Sequence, residues 1–343
     1  MSAKPEVQAK SGVRIGRRAR PLAAPDFDAV VAIDAALGGA GRRRSYFERR
    51  LAAAQHDPER HLQFAIDDEG KLAGYMLGRS LEGEFGRSEP ELRLEAFGVE
   101  ASTQGRGLGA ALGAAFEAEA RRRGLAGIRT SAGWREHALL DYLDRAGYCL
   151  AESHVLDCAL ADAELGSPRE QPQAAGPAPA DPNDYGTPGS SDFASLARDS
   201  IEVGLLGEGD LEGVARVDRG LTGRNRRGYL CRTVREALAD SAVRVSLVAR
   251  LDGGVAGYLM ARVDYGDFGR AEPAAVIDTV GVDPLRARQG IGRALLSQLF
   301  VNLRGLQVER VETVVAPGNL DLLGFFYAAG MRPAERLSFL KKL

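Results

Sequence analysis

Two glycine-rich loops carry the sharpest chemical signal in the chain. The first runs Gln104-Gly105-Arg106-Gly107-Leu108-Gly109-Ala110, the second Arg288-Gln289-Gly290-Ile291-Gly292-Arg293. Each lies between an apolar strand pattern, ending at Val99 or Val282, and a helical pattern. Glycines at such a junction leave main-chain N–H groups uncovered, and the start of the helix adds positive potential, so a diphosphate is a natural ligand, the alternative being a tight turn with nothing bound. Neither loop is a Rossmann fingerprint, which needs a third glycine and an acidic residue roughly 20 positions on. Neither is a P-loop, because no Lys-Ser/Thr follows. Two carboxylates stand at one register to these loops: Glu95 four residues before Val99, and Asp278 four before Val282, on the same strand face.

The loops belong to an internal repeat. LAGYMLGR at Leu72 to Arg79 matches VAGYLMAR at Val255 to Arg262, and EFGRSEP at Glu84 to Pro90 matches DFGRAEP at Asp267 to Pro273. Gly74 and Gly257, Gly109 and Gly292, Gly147 and Gly330 all stand 183 residues apart. So long a period means duplicated domains and not a solenoid. The pattern predicts a leader over 1–11, a first domain over 12–160, a Pro/Gly/Ser-rich linker over 161–198 and a second domain over 199–343. Each copy reads as a strand, two helices and then three alternating strands. The glycine loop follows and opens a helix, and a strand, a helix and a last strand close the copy, over Cys149–Ala159 or Arg336–Lys341. Mixed strands between helices imply an α/β three-layer domain built twice.

The segments EAFGVEASTQGRGLGAAL and DTVGVDPLRARQGIGRALL resemble motif A of the GNAT acyl-CoA-dependent N-acyltransferase superfamily, Q/R-x-x-G-x-G/A after a strand ending in an apolar-x-Val segment. The resemblance covers both copies. It implies two tandem GNAT-like domains, each a mixed sheet splayed between its fourth and fifth strands. It further implies acetyl-CoA in the gap and direct acyl transfer to an amine. Carried over by position, the cofactor residues are Phe97, Val99, Gln104, Gly105, Arg106, Gly107, Leu108, Gly109 and Ala110 in the first copy. In the second they are Val280, Val282, Arg288, Gln289, Gly290, Ile291, Gly292, Arg293 and Asn319. The Q/R position of the second copy falls on Ala287. The resemblance makes Glu95 and Asp278 the candidate bases, since an alkyl amine is protonated at pH 7 and must lose that proton before it attacks. The family's general-acid tyrosine falls in register on Leu143 and Phe326. Tyr142 and Tyr327 are their neighbours, and Tyr327 is the candidate acid.

Composition bounds the partners. Forty-five Lys plus Arg against 47 Asp plus Glu give a net charge of -2, so no overall basic field favours nucleic acid or an anionic membrane. The three cysteines lack CxxC spacing and are expected as packing residues of a protein in a reducing, cytoplasmic compartment. The four histidines form no i, i+4 metal pair, so no metal is expected. Trp134 is expected in the first core. The acceptor is a small-molecule or protein amine. The competing readings are a non-catalytic acyl-CoA sensor built from degenerate domains, and a scaffold.

Overall fold

The computed structural model describes residues 18–37, 44–81, 90–161, 201–239, 245–264, 274–316 and 318–343. The leader, nearly all of the linker and both Phe-Gly-Arg-x-Glu-Pro segments apart from Pro90 lie outside these. The first repeat contains β1 (Arg20–Pro21), α1 (Phe27–Ala36), α2 (Arg44–His56), β2 (His61–Asp68), β3 (Lys71–Leu81), β4 (Glu91–Val99), α3 (Leu108–Arg122), β5 (Gly127–Gly133), α4 (His137–Arg145), β6 (Cys149–Leu150) and β7 (His154–Ala159). The second contains β8 (Glu202–Leu205), α5 (Leu211–Thr222), α6 (Arg227–Ala239), β9 (Leu247–Leu251), β10 (Gly254–Asp264), β11 (Ala274–Val282), α7 (Ile291–Gly305), β12 (Arg310–Val315), α8 (Leu320–Ala328), β13 (Arg332–Pro333) and β14 (Arg336–Lys342).

Each sheet is covered on both faces. In the first, Leu112 and Phe116 of α3 pack on Leu92, Leu94 and Ile128, while Val30, Tyr46 and Phe47 of α1 and α2 cover Tyr75 and Leu77 on the opposite face. The second sheet repeats this with Leu295 and Leu299 on one side and Val214, Val217 and Leu230 on the other. The α/β three-layer expectation therefore holds for both repeats.

The sheets do not respect the division of the chain at 160 and 199. Their orders are β1-β2-β3-β4-β5-β14-β6 and β13-β7-β12-β11-β10-β9-β8. Each repeat gives its long last strand to the other: β14 runs antiparallel to β5 from Arg336↔Gly133 to Lys342↔Gly127, and β7 lies antiparallel to β12 from Arg310↔Ala159 to Val315↔His154. The two-residue strands β6 and β13 stay at home and flank the incoming strand. The expected single strand Cys149–Ala159 is thus broken at Ala151–Ser153, where the chain changes sheet. The crossing is pinned by Ser153 Oγ to Ser338 Oγ at 3.0 Å, by Ala151 N–H to Ser338 O at 2.8 Å, and by Ala334 N–H to Val155 O at 2.9 Å.

A bulge and a wedge shape the middle of each sheet. The β3–β4 register shifts between Leu77 and Gly78, which leaves Glu95 as the extra residue, and the β10–β11 register shifts between Met260 and Ala261, which leaves Asp278 in that place. Parallel pairing of β4 with β5 covers only Leu92↔Ile128 and Arg93↔Arg129, after which Thr130 Oγ1 donates to Leu94 O at 3.2 Å and the strands part. In the second sheet Thr313 Oγ1 donates to Ile277 O at 3.1 Å at the end of the same pairing. The splayed sheet expected from the sequence is present twice.

Candidate active site

The loop before α3 takes its shape from two left-handed residues, Gly105 at φ 75° and Gly107 at φ 84°. A side chain at either is strained, which is why glycine occupies them. The first main-chain bond of the helix runs from Ala111 N–H to Gly107 O at 3.0 Å, so the amides before it are left for a ligand. The second loop keeps this shape with Gly290 at φ 82° and Arg288, a non-glycine, at φ 64°. Its first helical bond, Ala294 N–H to Gly290 O, is 2.9 Å.

A cavity of about 1070 Å³ extends from the first loop along the groove between α3 and α4. Its walls include Phe97 and Val99 of β4, the loop residues Gln104, Gly105, Gly107, Leu108, Gly109 and Ala110, then Gly113 and Glu117 farther along α3, and Arg135, Glu136 and Tyr142. Eight of the nine first-copy cofactor positions line it. Arg106 does not: its guanidinium turns to Asp68 at 3.0 Å. Gln104 donates from Nε2 to Val99 O at 3.0 Å and so ties the loop to the end of β4.

Tyr142 stacks on Phe97 with ring centroids 4.5 Å apart, and a Cβ built at Gly113 would sit 2.8 Å from its hydroxyl. Burial, with a smaller contribution from the Glu117 carboxylate, pushes the phenol up to about 12, so it stays protonated at neutral pH. The structure thus turns Tyr142 into the cavity. Tyr327, the sequence candidate, stands 41% exposed on α8, and the inward place in its helix belongs to Phe325, 183 residues from Tyr142.

Glu95 and Asp278 occupy their bulges beside the wedges, as their register requires, yet neither carboxylate is unengaged. Glu95, 1% exposed, lies between Arg50 Nε at 3.3 Å and Arg79 Nε at 3.4 Å, and it is absent from the cavity wall. Asp278 binds Arg262, the counterpart of Arg79. Burial and the nearby Arg50, Arg79 and Arg60 lower His61 to about 3, which makes it a very weak base. Glu95, Arg50 and Arg79 form a charged cluster that joins α2 to β3 and β4.

Sequence reasoning missed three cavity residues. Asp34 of α1, 6% exposed, accepts from Tyr75 Oη at 2.9 Å and stands on the wall near Leu37 and Gly98. Asp218 and Tyr258 repeat this pair at 2.7 Å, one residue out of the 183 register, and that duplicated Asp was a legible signal. Gly98 makes room for the ring, since a Cβ there would lie 2.7 Å from Tyr75 Cε1. Glu117 and Lys341 line the far end of the groove.

The second repeat carries larger, apolar residues at the matching places. Gly113 and Glu117 are matched by Leu296 and Phe300, exposed 0% and 1%, which join Phe326 and Phe325 in the second core. A Cβ at Gly292 would lie 3.1 Å from the Phe325 ring, the same clearance that a Cβ at Gly109 has from Phe97. Ile291 is buried against the sheet, and Asn319 caps α8 by accepting from Leu322 N–H at 3.2 Å. In the first repeat Glu136 takes the matching place, with its Oε2 accepting from Gly133 N–H. Two smaller expectations fail. Trp134 is 60% exposed at the turn after β5, and Cys149 is exposed where Cys158 is buried. Among the described residues no group of three His, Cys, Asp or Glu side chains is placed to hold a metal, and no helix is long and apolar enough to cross a membrane.

The family model described as acetyltransferase (GNAT) family matches residues 28–148 and 222–331, more than half of the chain. Comparison with curated protein sequences finds no match. Among solved structures, a tandem GNAT protein from the clavulanic acid biosynthesis pathway is 17% identical with a TM-score of 0.59, over 95% of this chain and 98% of that one. A GCN5-related N-acetyltransferase from Sphaerobacter thermophilus is 17% identical with a TM-score of 0.51, over 94% and 95%. The GCN5-related glucosamine N-acetyltransferase region of a fungal multi-domain GH3 β-N-acetylglucosaminidase is 15% identical with a TM-score of 0.60. The match covers 94% of this chain and 37% of that protein, so the chain spans little more than a third of its length. At these identities the likeness is one of fold.

Proposed function

The chain belongs to the acetyltransferase (GNAT) family, and from that footing we propose that it moves an acyl group from acetyl-CoA to an amine, of a small molecule or a protein, with the first repeat as the working cleft. The observation that carries this reading is the open groove between α3 and α4, lined by Gly109, Gly113 and Glu117 where the second repeat has Gly292, Leu296 and Phe300. The residues suit the cofactor: a left-handed glycine loop, amides ahead of the first bond of α3, and a cavity of matching extent. When bound, acetyl-CoA supplies a thioester already activated for acyl transfer.

The protein's own contribution is positioning and charge. The loop amides from Gly105 to Ala110 would hold the diphosphate, and the edge of β4 left unpaired beyond Arg93 offers main-chain N–H groups to a thioester oxygen. Asp34 gives the wall near β4 a carboxylate that attracts an ammonium and accepts its proton, with Tyr75 fixing its orientation. Tyr142, protonated at neutral pH, is a hydroxyl donor beside Phe97. Glu95 serves here as the anchor of Arg50 and Arg79, to which its carboxylate is paired.

The test is calorimetry with CoA on the full chain, with thiol release measured over a panel of amines. Gly109→Val puts a branched side chain against Phe97, whose ring already lies 3.1 Å from a Cβ at that position, and is expected to abolish CoA binding. Gly292→Val should leave binding at the first cleft within about twofold. Loss of binding in Gly292→Val alone would move the working cleft to the second repeat, and no CoA binding by the unmodified protein would end the proposal.

A further inference from the structure

We propose that Lys341 is a cofactor-positioning residue of the first cleft, supplied by the second repeat through the exchanged strand β14; this rests on the acyl-CoA reading above. Lys341 lines the far end of the groove. Its ammonium donates to Glu117 Oε1 on α3 and, at 2.5 Å, to Ala146 O at the end of α4, and it stands 6.0 Å from the centre of the Tyr148 ring. One cation therefore ties both walls of the groove to the sheet. The strand beneath it is firm, paired with β5 along its whole length.

Two comparisons connect this tie to the groove. Glu117 lies on the stripe of α3 that begins with Gly109 and Gly113, four residues apart along one helix face, so the helix face that borders the cavity is the face that is held. In the second repeat the places of Lys341 and Glu117 are taken by Cys158 and Phe300, both buried in an apolar core, so no such tie can form there. The tie belongs to the repeat whose groove is lined by Gly109, Gly113 and Glu117, and it is missing from the one with Leu296 and Phe300. Side chains of Lys341 and Glu117 are each 18% exposed, so the pair is shielded from solvent more than a surface ion pair is. Without the ammonium, Glu117 and the Ala146 carbonyl lose a shared donor, and α4 is free to settle toward the small residues of α3. The expected consequence is weaker cofactor binding with an unchanged chemical step.

The experiment uses the full chain and CoA as probe. Lys341→Met and Glu117→Gln are each expected to weaken calorimetric CoA binding about tenfold, the loss typical of one charged hydrogen-bonded pair. Both should raise the KM for acetyl-CoA in proportion while kcat stays within about twofold. Lys341→Arg, which keeps the charge, should recover most of the binding. Should Lys341→Met not fold, Glu117→Gln removes the same tie from the other side and decides the matter. CoA binding by Lys341→Met equal to that of the unmodified protein overturns the proposal, as does a loss confined to kcat. Failure of the unmodified protein to bind CoA overturns the functional reading itself, so the two failures are distinguishable.

Discussion

Glu95 illustrates how a side chain in a suggestive register acquires a different task from its neighbours. Its strand position was readable from Val99 and from the matching Asp278, but its partners come from α2 and β3, and nothing in the local spacing announces Arg50 or Arg79. Removing one charge from such a buried cluster leaves guanidinium groups undercompensated. Glu95→Gln is therefore expected to lower the unfolding free energy by about 3 kcal/mol, read from denaturant midpoints, because breaking a buried pair is costly. Unchanged stability with collapsed turnover would instead return Glu95 to the role of base. The loop glycines were legible for the opposite reason: a positive φ excludes most side chains, so the backbone requirement is written in the residue type itself. Glu117 and Lys341 were not, because a lone acid or lysine in a helix or strand has the same appearance whether it faces water or a cavity; Asp34 was marked only by its near-counterpart Asp218.

At the level of elements, the alternation of β3 and β4 and the apolar stripe of α3 were readable almost to the residue. Glu91–Val99 forms as expected, and the helix starts one position before Gly109. The first strand is expected near Val13 to Arg20, and of it only residues 18–20 are described; Arg20–Pro21 forms a strand there, held by Arg20 bridging Asp26 at 2.7 Å and Asp67 at 2.8 Å. The start of β2 carries a pH signature. His61 takes up a proton near 6.5 in the unfolded chain but only near 3 in the fold, so acid between those values favours unfolding. The effect is absent above the unfolded value and grows as the pH falls. Denaturation at pH 7 and at pH 4.5 should show that His61→Asn loses about 2 kcal/mol less on acidification than the unmodified protein. Parallel curves for the two proteins would mean that the imidazole is protonated in the fold after all.

For the whole molecule, the duplication was plain in the constant 183-residue register, whereas the exchange of last strands was not. The reason is degeneracy: β7 and β14 occupy equivalent places in the repeats, so both sheets offer either strand much the same slot, and local pattern carries no preference. A chain cut in the linker tests the exchange. Residues 1–161 and 201–343 made together should purify as a one-to-one complex. Each piece made alone lacks its foreign strand and presents an open edge on β5 or β12, which favours aggregation or pairing with a second copy. A monomeric piece with a cooperative melt of its own would contradict this. The same topology has a consequence for biosynthesis. A ribosome delivers the glycine loop and α3 long before β14 emerges, so the first cleft waits, unfinished, until translation has nearly reached Leu343, and the half that is made first is among the last to mature.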